Sequence, residues 1–148
     1  MKKLSIKEKD LLLKDLCARL PYNVVAQYSE KIPQWYTEKY GFEFEKGNII
    51  CFKINYDNIS YVREKIDYFK PYLRSMSSMT DEEKDKINIL LDIIESSSNV
   101  TDETGRIIDC SYDCIELIDF YNSRYLDYHG LIPMGLALEA PEDMYKIK

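Results

Sequence analysis

Apolar positions near the start of the chain recur with the helical period: Leu13, Leu16, Cys17 and Leu20 share one stripe, leaving Lys7, Lys9, Lys14 and Asp15 for water. Ser5 and Glu8 have the spacing of a capping box and Pro21 is a stop, so the pattern predicts a helix from about Ile6 to Leu20. Beyond it the period fades and β-branched and aromatic residues accumulate, which predicts strands over Asn23 to Tyr28, Gly41 to Glu45 and Ile49 to Ile54. Phe42-Glu43-Phe44-Glu45 alternates, and Lys46-Gly47-Asn48 supplies turn chemistry before Ile49-Ile50-Cys51-Phe52. Together they read as a hairpin with a more buried second strand. The stretch Tyr61 to Phe69 fits either a short helix or an exposed strand leading to Lys70-Pro71.

The helical period returns after Thr80 and Glu83, a second capping box, with Ile87, Leu90, Leu91 and Ile94 as the buried stripe and Ser96-Ser97-Ser98-Asn99 as the end. Val100 to Asp109 is polar, with Arg106-Ile107-Ile108 as a short strand. Ser111 caps a third helix to about Tyr125, whose Cys114, Leu117, Ile118, Tyr121 and Tyr125 share a face. The apolar run Leu131 to Leu138 is too short to span a bilayer and too apolar to hang free; it should dock on the stripes of the first and third helices. The pattern predicts an α+β fold: one globular domain over 1–148, with a small antiparallel sheet of three or four strands, an N-terminal helix and two further helices.

Composition narrows the class. Apolar residues make up 45% and charged residues 31% of the 148, a globular balance. Net charge is −6, so the mean field disfavours phosphate backbones and anionic lipid as partners. No apolar stretch reaches membrane-spanning length and no signal-like h-region follows Met1, which predicts a cytoplasmic protein with reduced cysteines. In that compartment the glycosylation-like triplets at Asn58 and Asn99 carry no meaning.

Few residues suggest chemistry. Cys110 and Cys114 lack the second ligand pair that a structural zinc needs, and glycines at 41, 47, 105, 130 and 135 are too scattered for a phosphate-cradling loop or a dinucleotide fingerprint; no cofactor or metal is expected. Asp109, Asp113, Glu116 and Asp119 line the third helix, a pattern that in so acidic a chain reads first as a solvated face. Trp35, Tyr36 and Tyr40 belong to an aromatic cluster suited to packing or to binding a protein, but the lysines around it are offset by glutamates, unlike a nucleic-acid groove. His129, the only histidine, stands beside Tyr128 and Gly130, with Asp127 and Glu139 as nearby carboxylates able to orient it.

The segments LLLKDLCARLP (Leu11 to Pro21), KPYLRSMSSMT (Lys70 to Thr80) and DYHGLIPMGLALEAPEDMY (Asp127 to Tyr145) resemble a family of small uncharacterised proteins from gut anaerobes and their phages or integrated elements. They cover about a third of the chain. The resemblance implies an accessory protein of a mobile element and brings no established activity. Within these segments Arg74, Tyr128 and His129 are the polar residues marked for function. The leading expectation is a non-enzymatic protein-interaction module using its aromatic surface and acidic face, in a sharper form an acidic inhibitor of a nucleic-acid-binding or defence protein. The competing expectation is a small-ligand binder or small enzyme using His129.

Overall fold

Ser5 opens the first helix as its spacing dictates: its hydroxyl accepts the Glu8 amide at 3.1 Å and the Glu8 carboxylate accepts the Ser5 amide at 2.9 Å. The computed structural model describes residues 3–28, 43–44, 50–97 and 111–145. Helix α1 spans Ile6–Ala18, and a 3-10 turn over Leu20–Tyr22 carries Pro21 at its beginning. Asn23 takes a left-handed conformation (φ 53°) that its short polar side chain tolerates, turning the chain into the sheet.

The buried face of α1 differs from the expected one. Leu12, Asp15, Leu16 and Arg19 are buried, whereas Leu13 and Leu20 are half-buried and Cys17 is exposed. Both candidate stripes have helical spacing and share Leu16. The helix is rotated by about one residue from the wholly apolar stripe because Asp15 and Arg19 neutralise each other inside.

Among the described residues five strands follow: β1 Val25–Tyr28, β2 Glu43–Phe44, β3 Ile50–Lys53, β4 Phe69–Leu73 and β5 Leu138–Glu139, in the sheet order β2-β3-β1-β4-β5. β2 and β3 pair antiparallel as the predicted hairpin requires, with Glu43 opposite Cys51 and Phe44 opposite Ile50, while its Lys46-Gly47-Asn48 turn lies outside the described residues. The sheet is mixed rather than wholly antiparallel, because β5 runs parallel to β4. Parallel neighbours require a long connection. Here it contains two helices, so local sequence carries no sign of the pairing. Strand β4 also went unpredicted, since Pro71 lies within it. Pro71 has no N–H to give, and the ladder to β5 starts one residue later at Tyr72, so at Pro71 only the β1 side is paired. The ambiguous stretch before β4 resolves into helix α2 (Ile59–Glu64) and a 3-10 turn over Ile66–Tyr68.

Ala26, Tyr28, Phe52, Ile54, Phe69 and Leu73 face a core shared with Leu12 and Leu16 of α1 and Val62 of α2. Tyr28 and Phe52 each meet Phe69, with ring centroids 4.6 and 4.9 Å apart. The C-terminal run docks here through Leu131, Leu136 and Ala137, meeting α1 and the sheet. Helices α3 (Asp81–Ser97) and α4 (Ser111–Ser123) pack on each other. Of the expected α3 stripe, Ile87 and Leu90 are buried while Leu91 is exposed, and on α4 Ile118 is exposed rather than inward. The Val100 to Asp109 segment, with its predicted strand, lies outside the described residues.

Helix α4 ends in a Schellman arrangement: the Leu126 amide donates to Tyr121 O at 3.0 Å and the Tyr125 amide to Asn122 O at 3.1 Å. Tyr125 occupies the left-handed position usually given to glycine (φ 59°). Its ring is held by stacking on Tyr145 at 3.7 Å and by donation from its hydroxyl to Tyr22 O at 2.7 Å. This turn delivers Leu126, Tyr128 and His129 to the buried face of α1.

Candidate functional site

Asp15 and Arg19, four apart on α1, form a bidentate pair with both side chains 0% exposed. Arg19 Nε donates to Asp15 Oδ1 at 2.7 Å and Nη2 to Oδ2 at 3.1 Å; Nη2 also reaches Leu126 O at 2.7 Å. His129 Nδ1 lies 2.7 Å from Asp15 Oδ2. An ionised Asp15 only accepts, so Nδ1 carries a proton in either charge state of the ring, and Nε2 is the acceptor whenever the ring is neutral. Burial pushes the Asp15 carboxyl up, but hydrogen bonds from His129 and Arg19 outweigh it and hold the group below the usual carboxylate range.

Tyr128 lies against this pair, its ring centroid 5.3 Å from Arg19 Cζ and 4.2 Å from the imidazole, with Tyr121 stacked on it at 5.3 Å. Burial raises the Tyr128 hydroxyl's pKa, so the phenol stays neutral. Asp127, which the sequence offered as an orienting partner for His129, instead accepts the amides of Leu131 at 2.7 Å and Ile132 at 2.9 Å. Its carboxylate shapes the apolar run. Gly130, at φ 72°, makes the turn between them. The other suggested carboxylate, Glu139, lies on β5 and lines a separate cleft. The carboxylate that orients His129 is therefore Asp15, 114 positions away in sequence.

Arg74 belongs to a second network. Its guanidinium grips Glu83 with both ends, Nη1 to Oε2 at 2.8 Å and Nη2 to Oε1 at 2.7 Å, and donates to Arg124 O and Ser78 O at 3.1 Å each. Glu83 also closes the α3 capping box, accepting the Thr80 amide at 2.9 Å. The Arg74 hydrogen bonds hold the Glu83 carboxyl below its ordinary range against the opposing effect of burial. Arg74 thus ties the start of α3 to the end of α4. It also lines a cleft of about 720 Å³ bounded by the segment after β5. A smaller cleft of about 260 Å³ lies between Leu4, Phe69 and Leu136. His129 lines neither.

Of the residues marked in sequence, Tyr128 and His129 come together, the Arg74 side chain belongs to the Glu83 network although its backbone pairs with Tyr125 and Asp127 just before them, and Trp35, Tyr36 and Tyr40 lie outside the described residues. Asp15 and Arg19 were missed. The available signal was the spacing Leu12-Asp15-Leu16-Arg19, in which opposite charges four apart can bury as a pair. Among the α4 carboxylates, Asp119 accepts a short hydrogen bond from the Tyr22 hydroxyl and Glu116 pairs with Lys86 at 3.9 Å. Cys17 is exposed, and Cys51 is buried with its Sγ 3.9 Å from the Tyr72 hydroxyl. Among the described residues no three Asp, Glu, His or Cys side chains gather around a metal position, and no helix is long and apolar enough to cross a membrane. The chain matches no protein-family model, no curated protein and no solved structure.

Proposed function

We propose that this chain is a non-enzymatic protein-interaction module. The observation that carries the reading is the placement of exposed apolar side chains. Of eight large ones among the described residues, Ile89, Leu91, Ile93, Ile115 and Ile118 all lie on the α3–α4 pair, with Ile115 63% and Ile89 56% exposed. Ile89 and Ile93, four apart, share one face of α3, and exposed apolar side chains grouped on a face are a mark of association. The same helices carry nine acidic residues and two lysines, a net negative charge that favours a partner that is apolar at its centre and basic at its rim. Basic contact surfaces are common on nucleic-acid-binding proteins, which supports the sharper form of an acidic inhibitor. The resemblance to small proteins of gut anaerobes and their phages supports an accessory role in a mobile element.

A second reading has one observation in its favour: the buried Asp15 fixes His129 in a single tautomer, while 23% of the imidazole side chain remains exposed. That arrangement suits a proton carrier or ligand group. Affinity capture from nuclease-treated host lysate separates the two. The interaction reading expects a stoichiometric partner that is lost with Ile89→Lys and Ile115→Lys and retained with His129→Asn, all at unchanged helical circular dichroism. Retention in the isoleucine variants moves the surface elsewhere, and Trp35→Ala with Tyr36→Ala then tests the aromatic cluster. Loss only in His129→Asn favours the second reading.

A further inference from the structure

Tyr125 holds a backbone conformation that its own residue type opposes. Among the described residues two non-glycine positions have positive φ: Asn23, whose short polar side chain tolerates it, and Tyr125 at 59°. A bulky ring gains nothing locally from a left-handed backbone, so its surroundings must hold it there. The ring is gripped from two directions. Its hydroxyl donates to Tyr22 O at 2.7 Å, and its face lies flat on Tyr145, with centroids 3.7 Å apart and planes 5° from parallel. Tyr145 is in turn pinned to the sheet through the Tyr72 carbonyl and the Val25 amide.

The path to His129 depends on that conformation. With Tyr125 left-handed, its carbonyl accepts the Arg74 amide at 2.7 Å while the Leu126 amide turns back to Tyr121 O at 3.0 Å. The Leu126 carbonyl then meets Arg19 Nη2 at 2.7 Å, and only Leu126, Asp127 and Tyr128 separate Tyr125 from the imidazole that bonds Asp15. Moving Tyr125 to a right-handed φ rotates the adjoining peptide planes, so these bonds cannot all survive. We propose that the C-terminal segment is a latch that sets the geometry of the His129 site. Docked, Tyr145 keeps Tyr125 left-handed and the imidazole on Asp15; released, Tyr125 relaxes and His129 loses that bond. The link is a continuous path of contacts, from Tyr145 through Tyr125 and Leu126 to Arg19 and Asp15, that passes through one unfavourable backbone position. The coupling is a property of the fold and does not depend on the α3–α4 surface or on any chemistry performed by His129.

His129 is the sole histidine, so its ring signals in heteronuclear NMR are assigned without ambiguity. Bonded to Asp15, the neutral ring carries its proton on Nδ1; freed into water, it carries it mainly on Nε2. Spectra are recorded on the alkaline side of the ring's own titration, with folding checked by circular dichroism. Tyr145→Ala is expected to shift the ring from the Nδ1–H to the Nε2–H form. Tyr125→Gly should leave it as in the native chain, since glycine takes a positive φ without help. The double variant, Tyr125→Gly with Tyr145→Ala, decides the route: the Nδ1–H form is expected to return. An Nδ1–H ring in Tyr145→Ala overturns the proposal, because the latch then has no hold on the site. An Nε2–H ring in both Tyr145→Ala and the double variant also overturns it, because the route then bypasses the conformation of Tyr125. If Tyr145→Ala does not fold, Tyr145→Leu, which keeps apolar cover without a flat ring face, takes its place in the same comparison.

Discussion

Asp15 is placed where a carboxylate is costly, and three donors hold it there: two from the Arg19 fork and one from His129. The charge pair gains its worth from being complete. Asp15→Asn leaves the Arg19 charge buried without its counter-ion, so urea denaturation is expected to show a loss of about 3–5 kcal/mol. Replacing both partners, Asp15→Leu with Arg19→Met, is expected to cost less than Asp15→Asn alone; a cost equal to or above it would mean that the Leu126 and Tyr128 contacts of Arg19 dominate. The pH dependence has a defined sign. Asp15 is more acidic folded than unfolded, so its contribution is complete above about pH 4 and is lost as the pH falls through the folded value. The stability of the native chain should therefore drop more steeply on acidification below about pH 4 than that of Asp15→Asn. Glu83, also held below its ordinary range, acts in the same direction, and Glu83→Gln should flatten the same limb further.

At the scale of elements, the capping boxes were legible because both partners lie within one turn. Ser5 with Glu8 and Thr80 with Glu83 form the reciprocal bonds that their spacing predicts. Glu83 has an additional role that the spacing does not reveal, as the anchor for Arg74. The two halves of this box should therefore differ. Thr80→Ala is expected to cost about 1 kcal/mol, the usual loss of an N-cap. Glu83→Ala removes the cap and leaves Arg74 without its carboxylate, and should cost at least about twice as much in the same denaturation series. Comparable losses would show that the Arg74 pair adds nothing beyond capping. Strand β4 was illegible for the opposite reason: Pro71 argues against a strand locally, and only its position before the start of the β5 ladder makes it acceptable.

At the scale of the molecule, the chain is closed by its C-terminal segment. Tyr145 donates to Tyr72 O at 2.6 Å and accepts the Val25 amide at 3.0 Å, so one hydroxyl bridges β4 and β1, and its ring stacks on Tyr125. Burial pushes the Tyr145 phenol well above its ordinary pKa, which keeps the donor neutral. Tyr145→Phe retains the stack and removes both bonds, and a loss of about 1–3 kcal/mol is expected, with faster amide exchange at Val25. Unchanged stability and exchange would mean that the stack alone holds the segment. The same segment lines the cleft beside Arg74, so its docking also creates the cleft.

By itself the sequence determined whatever depends on neighbours within about one helical turn or one strand pairing: the starts of α1 and α3, the antiparallel pairing of β2 with β3, and the burial of Leu131, Leu136 and Ala137. It also marked His129, Tyr128 and Arg74 as polar residues worth attention. Tertiary structure decided which of two equally spaced stripes of α1 turns inward. The energy that selects it comes from His129 and the Leu126 carbonyl, more than 100 positions away. It likewise decided the parallel pairing of β5 with β4, strands that are joined only through the intervening helices. Local pattern records the period of an element. It does not record the charge or carbonyl that a distant segment brings to its face, and here that distant chemistry turned a helix surface into the buried centre of the polar network.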